Sequence, residues 1–318
     1  MNVSLNPGYV SYQQYGESLD IFEKNRQIFI PLITSLLFAG SFIAGKYTTR
    51  DLGPLTTSLL RYLVAFIFLS ILLYLNNSFS LKVELVDILT LIILGLFGIV
   101  GYHYFFFSSL RFTEVANTAI INALSPIVTG VVAAIFIKER LTIRNYIGVN
   151  IVVIGVILLI IKGKISNLIG LNLNLGDSLM LCAVLSWVIY SLLIKKLSNK
   201  YSSFTLTFYA TLFGVLLLLI FALTEDCFRQ IKEISIVSFC SVLYMGIAAS
   251  GIGYLFYNLS IARIGPTKTS GFISSLVPIF VALLAWLFFS EPITLIMVLS
   301  IAFVLYGLNM MFRKQNSV

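Results

Sequence analysis

Ten stretches of the chain are long and apolar enough to cross a bilayer, and this constrains the fold more than any other feature. A membrane helix needs roughly 20 mainly apolar residues, because the hydrocarbon core is about 30 Å thick and a helix rises 1.5 Å per residue. The predicted spans are 28–47, 55–75, 87–110, 115–137, 143–162, 176–196, 203–223, 235–262, 267–289 and 294–312. Polar or turn-forming breaks separate them, among them Asp51-Leu52-Gly53-Pro54, Asn76-Asn77-Ser78, Lys138-Glu139-Arg140, Thr224-Glu225-Asp226 and Glu291-Pro292. Membrane strands would instead alternate over about ten residues. The expected fold class is therefore an all-α polytopic membrane protein with ten transmembrane helices.

Composition agrees. Hydrophobic residues are 59% and charged residues 11% of the 318, against about 45–50% and about 25% in soluble domains. The net charge of +8 does not suggest nucleic acid, because the 21 basic residues are scattered at segment ends instead of clustering on one face. With a cytoplasmic N-terminus, thirteen Lys and Arg flank the inner ends of the spans and seven the outer ends, so the positive-inside rule puts both termini in the cytoplasm. Residues 1–27 are polar and lack an apolar signal-peptide core; they read as a cytoplasmic tail, as do residues 313–318. Cys182, Cys227 and Cys240 show no metal-ligand spacing, and neither a metal site nor a cofactor is expected.

The chain repeats itself at an offset of 152 residues. Residues 101–142 and 253–294 share twelve identities in 42 positions, among them Gly101/Gly253, Arg111/Arg263, Pro126/Pro278, Glu139/Glu291 and Thr142/Thr294, and beyond them Gly155 meets Gly307. Shared hydrophobicity alone would not align Pro, Glu, Arg and Gly together. The predicted organisation is a first repeat over 28–162, a linker over 163–175 and a second repeat over 176–312. Five helices per repeat is an odd number, so the second repeat enters the membrane inverted. Inverted repeats around a midplane site are characteristic of secondary transporters.

The segments FIKERLT and FFSEPIT, each following a helix with a Pro-Ile step, resemble the EamA-type repeat of the drug/metabolite transporter superfamily over about residues 28–312. The resemblance implies ten helices, cytoplasmic termini and a central cavity lined by helices 1, 3, 4, 6, 8 and 9. At helix 1 the sequence departs from the family, which often has Trp-Gly where this chain has Phe38 and Ala39.

The candidate substrate-binding residues lie near helix centres. His103 is the single histidine, within Gly101-Tyr102-His103-Tyr104, and ionisable groups at membrane depth usually face a cavity; the bland alternative is a neutral imidazole hydrogen-bonded to a neighbouring helix. Amino-acid exporters similar to this chain place a Tyr-His pair on helix 3. Tyr102, Phe106, Trp187, Tyr190, Tyr254 and Asn258 offer stacking surfaces and polar tips, or else face lipid. Ser41, Asn122, Ser274 and Ser275 are small polar candidates that helix-to-helix bonding explains equally well. Pro126 and Pro278 should kink helices 4 and 9 as hinges. For Lys46 and Arg61 the expectation is snorkelling or contact with lipid phosphate, and the alternative is attraction of an anionic substrate or its carboxylate.

Every carboxylate falls in the tail, a loop or a helix end. Proton coupling therefore has His103 as its only side-chain candidate, and facilitated diffusion or exchange is an equal alternative. The expectation is a non-enzymatic permease of the cell membrane exporting a small metabolite, an amino acid; the alternative is an exporter of hydrophobic drug-like compounds or nucleobases. A membrane-embedded enzyme or a non-transporting membrane partner ranks lower.

Overall fold

The computed structural model describes residues 28–45, 47–48, 50–76, 80–112, 121–122, 124–136, 142–160, 174–289 and 295–312. Both tails, Lys46, Glu114, Glu139, Glu291, Thr294 and most of the linker lie outside these residues.

In chain order the helices are α1 (Ile28–Gly45), α2 (Pro54–Leu75), α3 (Ile88–Gly95), α4 (Tyr102–Phe112), α5 (Ser125–Phe136) and α6 (Ile143–Ile160). After the linker come α7 (Leu175–Leu197), α8 (Ser203–Phe221), the short α9 (Cys227–Lys232), α10 (Ile236–Tyr244), α11 (Tyr254–Ile264), α12 (Pro266–Phe289) and α13 (Leu295–Phe312). In hydrocarbon every backbone N–H and C=O must be satisfied within the protein, which leaves helices as the form for these apolar runs. Their starts follow local rules: Pro54 opens α2, where a missing N–H costs nothing, Asn174 and Asp177 cap α7 reciprocally, and Ser202 and Ser235 cap α8 and α10.

Among the described residues, six helices are long and apolar enough to cross a membrane, and three further apolar helices are shorter. The chain is thus a multi-pass helical membrane protein. Two predicted spans carry a feature that their hydropathy hides. Between α3 and α4, residues Leu96–Gly101 form a π-helical segment, and between α10 and α11 residues Met245–Gly253 form another. They end at Gly101 and Gly253, the pair that begins the sequence match. The wider π turn gives backbone carbonyls spare capacity for side-chain partners.

The packing exchanges partners between the two sequence repeats. α2 packs on the second π segment, whereas α8 packs on α3 and the first one; α5 packs on α12 and α6 on α13. The α6–α13 seam is the tightest expression of this. A Cβ on Gly155 would stand 2.9 Å from Phe303 Cβ and 3.0 Å from both the Ser300 carbonyl and Val304, and a Cβ on Gly307 would stand 2.7 Å from the Gly148 carbonyl and 2.8 Å from Val152. Gly307, Ser300 and Val304 each follow Gly155, Gly148 and Val152 by 152 residues. Each surface therefore packs on its own counterpart, the mark of a two-fold contact. As α6 runs from Gly148 to Gly155, the facing residues of α13 run from Gly307 back to Ser300, so the two helices are antiparallel.

Candidate functional site

A cavity of about 650 Å³, counting its mouth, opens where α1, α2, α4, α5, α7, α11 and α12 converge, and it is lined by Phe38, Ser41, Phe42, Arg61, Tyr102, His103, Phe106, Asn122, Ser125, Trp187, Tyr254, Ile273, Ser274 and Val277. Eight of the residues singled out in the sequence stand on its wall: Ser41, Tyr102, His103, Phe106, Asn122, Trp187, Tyr254 and Ser274. Three do not. Tyr190 and Asn258 are buried behind it, where the Tyr190 hydroxyl donates to Asn258 Oδ1 at 2.9 Å and Asn258 Nδ2 donates to Thr207 at 2.8 Å. The Ser275 hydroxyl donates to the Gly271 carbonyl one turn back, so it serves its own helix while Ser274 faces the opening.

Aromatic rings supply most of the wall. Trp187 lies 4.8 Å from Tyr102, 5.5 Å from Tyr254 and 6.3 Å from Phe38, centroid to centroid. Tyr102 and Phe106 stack in parallel planes at 5.9 Å, and Phe42 meets Phe106 edge-on at 5.3 Å. Offset and edge-to-face pairs like these stabilise one another by about 0.5–1.5 kcal/mol each, so the box is held open by its own contacts.

The first π segment anchors two of its members. The Tyr254 hydroxyl donates to the Gly98 carbonyl at 3.1 Å, and His103 Nδ1 lies 3.0 Å from the Ile99 carbonyl. A carbonyl only accepts, so Nδ1 carries the proton, and Nε2 faces the Tyr62 hydroxyl at 3.5 Å. Both ring nitrogens thus have protein partners, and the imidazole is only 2% exposed. A Cβ at Gly98 would overlap the Tyr190 ring, so glycine there is what lets α7 close against the segment.

Arg61 corrects the sequence expectation. It turns inward: the residue is 4% exposed and lies against the cavity. Nε donates to Ser250 Oγ at 2.5 Å and Nη1 to Ser41 Oγ at 3.2 Å. Its Cζ stands 5.5 Å from the Tyr62 ring centre. The helix set inferred from the resemblance therefore gains helix α2. Lys46, weighed alongside Arg61, lies outside the described residues.

The two prolines differ. Pro278 sits inside α12, where its ring removes a helix bond. Pro126 is the second residue of α5, which begins after a turn at Leu124 that follows helical Ile121 and Asn122, so the helical run is interrupted just before the proline.

The remaining lining residues, Phe38, Phe42, Ser125, Ile273 and Val277, were not singled out in the sequence. A signal existed for several. Phe38 and Phe42 are three residues before and one after Ser41, and Ser125 and Val277 are one repeat offset apart, as are Tyr102 and Tyr254, and Asn122 and Ser274. Matched positions of the two repeats face one opening.

Relatives share this length and shape. An uncharacterized transporter of Bacillus subtilis, YyaM, is 27% identical over 285 residues, which cover 89% of this chain and 93% of the relative. An uncharacterized transporter of Archaeoglobus fulgidus is 26% identical over 288 residues, covering 90% and 99%. A crystal structure with 17% sequence identity superimposes at a TM-score of 0.71 over 89% of this chain and 97% of its own, a likeness of fold. The sequence profile of the EamA-like transporter family matches residues 26–161 and again 174–313. With helical architecture, repeated sequence and profile in agreement, the chain belongs to the EamA-like transporter family.

Proposed function

We propose that this protein is a secondary transporter of the cell membrane that moves a small metabolite outward by alternating access. In this reading ten membrane helices form two inverted five-helix repeats, over 28–162 and 176–312, with both termini cytoplasmic and the central cavity as the transport site. The observation that carries it is the lining of one cavity by matched positions of both repeats, Tyr102 with Tyr254 and Asn122 with Ser274. Rocking one repeat against the other would open such a site to either side in turn. The substrate class is an amino acid, and His103 is the group through which a proton gradient would act. The six Phe, Tyr and Trp side chains among the fourteen lining residues favour a second reading, hydrophobic drug-like compounds or nucleobases.

The test is counterflow in proteoliposomes of purified protein with labelled amino acids, a purine and a lipophilic cation. Accumulation of one class by the wild type, abolished by Ser274→Trp in protein that still elutes as a folded monodisperse species, is the expected result. Flux that survives the filled cavity would place transport elsewhere, and no flux for any class would remove the transporter reading. Repeating the assay with His103→Ala across a pH gradient decides coupling: gradient-driven accumulation should disappear while exchange continues.

A further inference from the structure

We propose that Arg61 is the anion anchor of the cavity, and that the transported molecule is a small monocarboxylate with a flat apolar body. The proposal rests on the transporter reading and replaces its amino-acid substrate class with the deaminated acid.

Arg61 lies seven residues after Pro54, the first residue of α2, which is about 10 Å along the helix axis. Ser41 of α1 and Ser250 of the second π segment hold its guanidinium from two sides. These bonds use two of five N–H donors. Both partners are neutral. Among the described residues the ion pairs join Lys200 to Glu84 and Asp87, and Arg229 to Glu233. Of the other described carboxylates, Asp51 is engaged by Ser235 and Ser238, Asp177 by the backbone of Asn174 and Glu225 by Leu55 and Thr56, while Asp226 stands at the start of α9. No described carboxylate lines the cavity.

A guanidinium carries a fixed charge, and taking an ion out of water costs several kcal/mol unless an opposite charge arrives. In this site the missing charge is supplied by the ligand. The planar fork matches the paired oxygens of a carboxylate, as it does those of a phosphate. Among the other lining residues, Phe38, Phe42, Phe106 and Trp187 present ring faces and edges, which suit a flat apolar body. No described carboxylate faces the cavity to receive an ammonium group, so a deaminated acid should bind more tightly than the amino acid of the same skeleton.

The chain has two tryptophans, and Trp286→Phe leaves Trp187 as the reporter inside the cavity. In that background, fluorescence titrations in phosphatidylcholine nanodiscs would use four probes with one phenyl skeleton: 3-phenylpropionate, phenylalanine, phenethylamine and 3-phenylpropan-1-ol. The expected order of affinity is the anion first, the zwitterion second, and the alcohol and the amine far behind. Arg61→Gln should weaken the anion about tenfold or more, as loss of a charge-assisted bond does, and leave the alcohol unchanged. Arg61→Lys should recover part of the loss. Ser41→Ala keeps the charge and frees one side of the fork, and a loss of about threefold for the anion alone is expected; it guards against misfolding of the Arg61 variants.

Equal affinity for the alcohol or the amine, an unaffected Arg61→Gln, or no binding of any probe would each overturn the proposal. So would Arg61-dependent binding of phosphatidylglycerol that excludes 3-phenylpropionate, since the anion would then be a lipid phosphate. Glu114→Gln should leave the anion affinity unchanged; a gain of about tenfold would show that Glu114 already neutralises Arg61 and would overturn the argument. Counterflow of a purine or a lipophilic cation, blocked by Ser274→Trp, would sink the anion anchor and leave the transporter reading standing. Absence of all counterflow, with labelled 3-phenylpropionate added to the panel, sinks the transporter reading itself.

Discussion

Along the seam between α6 and α13, Gly155 packs on Ser300 and Val304 while Gly307 packs on Gly148 and Val152. Around the cavity, Tyr102 and Tyr254, Asn122 and Ser274, and Ser125 and Val277 face one opening instead of each other's helices. Both regions use positions related by the same repeat offset. In the seam the matched positions lie on two helices in direct contact, and neither glycine has room for a Cβ. At the cavity they stand apart, and the copies diverge: His103 answers to Leu255, and Phe106 on the wall answers to Asn258 behind it. Close contact leaves the seam glycines no freedom, and open space permits chemistry at the cavity.

Substitutions at the two regions should separate these roles. The largest effect is expected at the seam, where Gly155→Leu forces a side chain into backbone contact and should destabilise by about 1–3 kcal/mol, read as a lower melting temperature in detergent. Ser274→Leu, on the cavity wall, should melt like the wild type and lose transport. Equal melting of the two variants would break the comparison. Next comes the pair of tyrosines. Tyr190→Phe leaves the buried Asn258 Oδ1 without its donor, at a cost of about 1–3 kcal/mol, whereas Tyr102→Phe should change substrate affinity and leave the melting temperature alone. A Tyr190→Phe protein as stable as the wild type would show that the buried pair contributes nothing.

Smaller effects belong to the helix ends. Glu225 accepts from the Leu55 and Thr56 N–H groups at 3.1 and 2.9 Å and so caps α2 from across the bundle. Glu225→Gln keeps an acceptor and loses the negative charge that suits a helix N-terminus; about 0.5–1 kcal/mol is expected. The smallest is Asp51, whose carboxyl is held below the usual carboxylate range by the hydroxyls of Ser235 and Ser238. Its folded pKa lies below its unfolded one, so this tie contributes fully above the unfolded value of about 3.9 and disappears as pH falls through the folded value. The difference in melting temperature between wild type and Asp51→Asn should therefore be flat around neutrality and shrink only in strong acid. A difference that changes between pH 6 and 8 would assign it to another group.

Much of the site was legible because it rests on short-range facts. Tyr102, His103 and Phe106 share a helix face through the 3.6-residue period, and the repeat offset pairs Tyr102 with Tyr254 and Asn122 with Ser274. The same reasoning misplaced Tyr190 and Asn258. They have the aromatic and amide chemistry of a binding wall, but their polar atoms reach each other and Thr207 first. Arg61 was misread for a related reason. A long side chain near a membrane helix end can snorkel or turn inward, and its own sequence neighbours do not say which.

The sequence by itself determined the membrane class, the apolar segments and the repeat, because hydropathy, the polar breaks and a fixed offset are written along the chain. Which face of each helix looks inward was decided only by tertiary structure. These helices are apolar nearly all round, so no polar stripe marks an outward side as it does in a soluble protein, and orientation comes from close packing and from bonds between helices. Gly98 against Tyr190, Gly155 against Val304, and Ser41 and Ser250 against Arg61 are contacts between residues far apart in sequence. They turn a positive charge and a ring of aromatics toward one cavity.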